Sequence, residues 1–224
     1  REYRGGPAWS PPTIRTEDDG YAHVLVDEAQ DLTPMQWRMV GRRGRGATWT
    51  IVGDPAQSSW PWPDEAAVAR EAALVDKPEH AFHLSTNYRN SKEIYDFAAA
   101  YAGRVGLDAD LPTAVRATGV VPVEAVVDDL EAGVATALQD VLAGVEGTVA
   151  VVVPVARIPE ATRWLADAPV ERVSVVSGLE TKGLEFDGIV VVQPAEIENE
   201  SVTGRATLYV VLTRATQRLV TISS

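Results

Sequence analysis

An α/β fold on a parallel sheet is what this sequence predicts, from two observations. Seven short aliphatic runs alternate along the chain with segments of helical pattern. The runs are continuous rather than alternating, which suits strands buried on both faces of a parallel sheet. Strands are expected at 22–26, 48–52, 121–127, 149–153, 173–177, 189–192 and 218–222. Helices are expected at 34–41, 64–74, 91–101, 130–142, 159–167 and 204–216. Thr33, Pro34 and Gln36 form a helix start: an N-cap, a proline at the first helical position and a residue placed to close a capping box. In such doubly wound folds ligands sit beyond the carboxyl ends of the strands.

Residues 1–20 are rich in Pro, Gly and charge and read as an irregular lead-in. An internal boundary is expected between Pro78 and Leu84, after an Asp-Lys-Pro breaker. The chain has 20 Lys plus Arg against 32 Asp plus Glu, a formal net charge of −12. Bulk charge therefore excludes nucleic-acid affinity by phosphate neutralisation alone. The cluster Arg38, Arg42, Arg43 and Arg45 fits a helix C-terminus, where cations are favoured. With no cysteine there is no disulfide framework or thiolate site. His80 and His83 alone make no structural zinc site. No apolar run spans a bilayer, no secretory leader is visible, and the expectation is a cytoplasmic protein. The chain begins without Met and reads as a fragment.

Chemistry concentrates at strand ends. The first strand runs into Asp27-Glu28-Ala29-Gln30-Asp31, two adjacent carboxylates that a Mg²⁺ ion would compensate. A solvated acidic turn at a helix start is the competing account. The next strand runs into Gly53-Asp54-Pro55-Ala56-Gln57-Ser58, whose glutamine could hydrogen-bond a terminal phosphate or its attacking water.

These two segments resemble motifs II and III of the UvrD/Rep-like superfamily 1 helicases. Further matches follow in the family's order: Leu84-Ser85-Thr86-Asn87-Tyr88-Arg89-Asn90 is similar to motif IV, Lys182-Gly183-Leu184-Glu185-Phe186-Asp187 to motif V, and Tyr209-Val210-Val211-Leu212-Thr213-Arg214-Ala215 to motif VI. The resemblance implies a RecA-like (P-loop NTPase) parallel sheet flanked by helices. It implies the C-terminal part of a first lobe over 21–83 and a complete second lobe over 84–224. It implies ATP and Mg²⁺ as cofactors, with Asp27 on the metal, Glu28 as catalytic base and Gln57 as γ-phosphate sensor. Arg89 and Arg214 become arginine fingers, Tyr88 stacks on the adenine and Glu185 accepts from the ribose.

Trp60 and Trp62 stand where the family stacks aromatics on single-stranded DNA or RNA bases, although packing into the interlobe core accounts for them equally. Pro61 and Pro63 replace the arginine usual there, and Leu179 replaces a histidine common in motif V. No Gly-x-x-x-x-Gly-Lys-Ser/Thr occurs, so the chain alone is expected to be inactive and to need upstream first-lobe residues to complete the ATP site. Only 91 residues lie between Asn90 and Lys182, which leaves no room for the family's large accessory insertion. The wording of motifs II and III is most similar to the HelD-like factors, which implies RNA polymerase as a partner and its release from nucleic acid as the task. A DNA helicase of repair and a non-catalytic binding module on a motor scaffold are the alternatives.

Overall fold

The computed structural model describes residues 20–109 and 112–224. The expected irregular lead-in therefore lies, apart from Gly20, outside the described residues.

The first region pairs β1 (His23–Val26) with β2 (Thr48–Ile51) in parallel, through α1 (Pro34–Arg43), and continues into α2 (Pro63–Ala73). α1 starts as its sequence dictates. Thr33 Oγ1 accepts the Gln36 N–H at 3.3 Å and Gln36 Oε1 accepts the Thr33 N–H at 2.7 Å, so two otherwise orphaned donors are satisfied. Arg42 and Arg43 occupy its last turn, where they complement the helix dipole. Trp37, 1% exposed, anchors α1 in a small core with Val24, Val26, Ala47, Ala66 and Ala69.

The expectation that every strand is buried on both faces fails for β1, and also for β2, β5 and β7, which carry exposed residues. Val24 and Val26 are buried but Leu25 is 68% exposed. Both helices of this region pack on one face of a two-stranded sheet, so alternate side chains on β1 face outward.

After 77–85, which carry no regular element, the chain forms β3 (Thr86–Ser91), α3 (Lys92–Val105) and β4 (Thr113–Arg116), with β3 and β4 parallel. Then come β5 (Val123–Val126), α4 (Leu130–Gly144), β6 (Val149–Val152), α5 (Ile158–Trp164), β7 (Val173–Val176), β8 (Phe186–Val192), α6 (Pro194–Asn199), α7 (Gly204–Leu212) and β9 (Ala215–Ser223). Five of these strands make one parallel sheet in the order β5-β9-β8-β6-β7. Helices α3, α6 and α7 pack on one face and α4 and α5 on the other, each over its own apolar layer. Every residue of β6 is buried, as is β8 from Gly188 on, which is why β6 reads Val-Ala-Val-Val and β8 ends Ile-Val-Val-Val with no polar residue.

Three elements, β3, β4 and α6, had no expectation in the sequence. β3 reads Thr-Asn-Tyr-Arg-Asn-Ser and carries no apolar signal. The helix expected over 204–216 is corrected: it ends at Leu212, and Ala215 and Thr216 already belong to β9. Ala215 pairs with Phe186 of β8, which requires extended backbone there, and the Asn90 side-chain nitrogen donates to the carbonyls of Thr213 and Ala215, both at 2.7 Å. Ala56, from the first region, is buried in the α3/α6/α7 layer. The two regions thus meet directly beside the strand ends.

Candidate functional site

The carboxyl ends of β1 and β2 are tied together before any side chain of interest is placed. Val52 N–H donates to Val26 O at 2.8 Å and Ala29 N–H to Val52 O at 2.9 Å. The Gln30 amide then links the two loops. Its nitrogen donates to Glu28 Oε2 at 2.5 Å and its oxygen accepts the Asp54 N–H at 3.1 Å. Gly53 must lack a side chain for this, because a Cβ there would lie 2.7 Å from Gln30 Oε1. Asp27 Oδ1 accepts the Glu28 N–H at 2.9 Å, and Glu28 holds a left-handed backbone, φ 50° and ψ 43°. A non-glycine residue in that region stores strain and is characteristic of functional turns.

Gln57 closes a short 3₁₀ turn, Pro55–Gln57, capped by Asp54, which accepts the Ala56 N–H at 3.0 Å. The other Asp54 oxygen accepts from Gln57 Nε2 at 2.8 Å. The glutamine amide is thereby oriented, and its Oε1 accepts a hydrogen bond from Arg214 Nη2. These residues are 157 positions apart in sequence.

Arg214 sits in the turn between α7 and β9 and is only 3% exposed. Its Nε has no hydrogen-bond partner. Burial, and then the like charge of Arg89, lower its pKa from the ordinary guanidinium value, while Glu28, Glu185 and Asp54 act in the opposite sense. A buried cation with a free donor, facing acids from two directions, is a costly arrangement that an anionic group would relieve.

Arg89 pairs with Glu185, Nε to Oε1 at 2.6 Å, with both side chains close to half exposed. Exposed pairs of this kind are worth about 0–1 kcal/mol, so either partner can be recruited elsewhere at small cost. Glu28, Gln57, Arg89, Glu185 and Arg214 are thus brought to one place. Tyr88 is next to Arg89 on β3 and 75% exposed. Asp27 lies at the rim as an exposed carboxylate. Among the described residues no group of three His, Cys, Asp or Glu forms a cluster able to hold a metal ion. Mg²⁺ in nucleotide sites needs only one or two carboxylates beside phosphate oxygens, so Asp27 and Glu28 suit a phosphate-bound cation.

The two tryptophans separate. Trp60 is half-buried against the first core, and Trp62 is 58% exposed. Their rings meet edge to face, centroids 5.4 Å apart and planes at 72°. Leu179 is exposed and lines a narrow crevice with Gln57, Ser58, Ser59 and Lys182.

Four residues important to this geometry carried no individual role in the sequence reading. Asp54 and Gln30 orient the glutamine loop, Asn90 holds the backbone on either side of Arg214, and Lys182 pairs with Asp31. The signal for Asp31 and Gln30 was their place within the acidic strand-end segment. Asn90 ended the segment that resembles motif IV, but its bracing role had no signal, because a buried asparagine looks in sequence like any turn residue.

Residues 10–66 match the family described as UvrD/REP helicase N-terminal domain. The chain is 32% identical over 93 residues to the RecBCD enzyme subunit RecB of Mycolicibacterium smegmatis, covering 40% of this chain and 8% of that protein. It is 31% identical over 78 residues to R568 of Acanthamoeba polyphaga mimivirus, named as an ATP-dependent DNA helicase, covering 34% of this chain and 11% of the relative. The chain therefore spans about a tenth of the length of the curated relatives it matches. A solved structure, the C-terminal domain of a possible DNA helicase from Lactobacillus plantarum WCFS1, aligns at TM-score 0.46 and 22% identity over 61% of this chain and 87% of that one. Among the described residues no helix is long and apolar enough to cross a membrane.

Proposed function

We propose, on the premise that these matches tie the chain to the UvrD-like superfamily 1 helicases, that it is the carboxyl-terminal motor segment of an ATP-dependent helicase or translocase. In this reading 21–83 are the end of a first RecA-like lobe and 84–224 a second. The match of 10–66 to an N-terminal helicase domain supports that division. One observation carries the proposal: Arg214 and Gln57 meet across the two regions, with Glu28, Arg89 and Glu185 around them.

The residues present suit Mg²⁺ and ATP, as the unpartnered Arg214 Nε and the weakly paired Arg89 indicate. Bound there, the cation and triphosphate would supply the electrophilic phosphorus and neutralise charge on the β- and γ-oxygens. Asp27 would hold the cation. Glu28 would take the proton of the attacking water, and Gln57, fixed by Asp54, would orient that water. Arg214 and Arg89 would meet charge on the equatorial oxygens, because a planar guanidinium offers several donors at once. Tyr88 and Glu185 would hold the base and ribose. The chain contains no phosphate-loop motif, so catalysis is proposed only for the longer protein that supplies one.

The printed name of one relative, an ATP-dependent DNA helicase, favours DNA as the track. A second reading, a HelD-like factor that releases RNA polymerase, is favoured by the net charge of −12, by Pro61 and Pro63 beside the tryptophans, and by Leu179. The test is Mg²⁺-ATPase turnover by the longer protein. Glu28→Gln and Arg214→Ala should each lower kcat by about 10³ or more, and unchanged turnover would remove the assignment. Stimulation by single-stranded DNA that falls steeply with salt selects the first partner, whereas stimulation by RNA polymerase alone selects the second.

A further inference from the structure

We infer that Lys182 is a positioning residue that sets the register of the Gln57 loop against the second region, acting as a charged clip between three separate loops. Its ammonium donates to the Gln57 carbonyl at 2.7 Å and pairs with the Asp31 carboxylate. Asp31 in turn accepts from the Ser59 N–H at 2.9 Å and the Ser59 hydroxyl at 2.7 Å. One lysine, capping the short turn Leu179–Thr181 of the second region, therefore fixes the backbone on both sides of Ser58. The Gln57 side chain leaves the same residue to meet Arg214.

The arrangement is more than a surface contact. The Lys182 and Asp31 side chains are 18% and 23% exposed, and the crevice beside them is narrow, with room for about 10 Å³. Burial alone would raise the Asp31 pKa, but the Lys182 ammonium and the two Ser59 donors outweigh it and hold the carboxyl below its ordinary range. Lys182 satisfies two oxygens, one from each strand-end loop of the first region. Without it the Asp31 charge loses its counterion in a partly dry seam, and the Gln57 carbonyl loses its donor. Among the described residues no other hydrogen bond joins the Gln57 backbone to the second region.

The proposal deepens the ATP-site reading and rests on it only for its effect on turnover; the positioning itself is testable without nucleotide. Amide hydrogen exchange on the 224-residue chain is the direct measurement. Lys182→Met keeps the aliphatic stem and removes the charge. It should speed exchange at Gln57 to Ser59 by about tenfold, leaving the amides of β6 and β8 unchanged. Asp31→Asn should do the same at Ser59 from the other side. The exchanged pair Asp31→Lys with Lys182→Asp should not restore protection, because an ammonium at 31 cannot accept from Ser59 and a carboxylate at 182 cannot donate to the Gln57 carbonyl; restored protection would contradict the clip. Unchanged exchange at Gln57 to Ser59 in Lys182→Met, in a chain that remains folded, overturns the proposal.

In the longer protein Lys182→Met should lower kcat more than it changes KM for ATP, since the glutamine rather than the nucleotide is displaced. If Arg214→Ala abolishes turnover while Lys182→Met leaves exchange unchanged, the clip fails alone. Faster exchange with turnover indifferent to Arg214 would leave the clip standing and remove the ATPase reading.

Discussion

Asn90 donates from a single side-chain nitrogen to the carbonyls of Thr213 and Ala215, the two residues that flank Arg214 in the chain. The asparagine is 2% exposed, and its oxygen accepts from Asn87 Nδ2 at 3.0 Å. Arg116 reinforces the connection by donating to the carbonyls of Arg89 and Thr216. Both arginines of the site are therefore carried on backbone that is cross-braced between β3 and the α7–β9 turn.

Replacing Asn90 by Ala should accordingly destabilise the chain by about 2–3 kcal/mol, since two buried carbonyls lose their donor. Asn90→Asp should be worse, because a carboxylate would face both oxygens. Urea denaturation followed by far-ultraviolet circular dichroism measures both, and a loss below about 0.5 kcal/mol for either would contradict the bracing role.

The tryptophans should respond differently to truncation. Trp60 packs against the first core, so Trp60→Ala is expected to cost about 2–4 kcal/mol. Trp62 is mostly exposed, and Trp62→Ala should cost less than about 1 kcal/mol. Trp60→Phe should be close to neutral, since the indole N–H it removes is buried without a partner. Equal costs for Trp60→Ala and Trp62→Ala in a denaturant titration would contradict the burial.

Gly188 marks a close approach of helix to sheet. A Cβ there would lie 2.3 Å from Val141 Cγ1, on a valine of α4 that is itself 1% exposed and has nowhere to move. Gly188→Ala should overpack this contact and cost about 1–3 kcal/mol, visible as a lower midpoint in thermal unfolding.

Glu93 gives the chain a carboxylate whose titration can be followed. Its own N–H, together with the N–H groups of Gly119 and Thr118, holds its pKa down to about 2. A depressed folded value means that the stabilisation is complete above the ordinary carboxylate range, near 4.5, and is lost as pH falls toward 2. Stability measured between those limits should fall less steeply in Glu93→Gln than in the parent chain. Identical slopes would show that the turn at Thr118 and Gly119 does not depend on this charge.

Much of the fold was legible in order. All seven aliphatic runs are strands and all six helical patterns contain helices, because a run of β-branched residues and an amphipathic turn each leave a local signature, even where, as in β1, only one face of the strand is buried. The α1 capping box could be read to the residue, since every atom of it lies within four positions. β3, β4 and α6 could not be read: β3 owes its extended shape to pairing with β4 and to Asn90, and a polar strand held from outside has no pattern of its own.

The site divides the same way. Asp27, Glu28 and Gln57 could be named because each follows an aliphatic strand into a loop, and Tyr88, Arg89, Glu185 and Arg214 because of the motifs they resemble. What the sequence by itself determined is which residues end the strands, and so which chemistry is available. Only the tertiary structure decided that Gln57 meets Arg214, that Arg89 pairs with Glu185 and that Lys182 joins Asp31 to the Gln57 carbonyl. Those contacts span 96 to 157 positions of chain. They form only when parallel strands far apart in the chain stop at a common edge, where backbone geometry rather than local propensity sets which loops can touch.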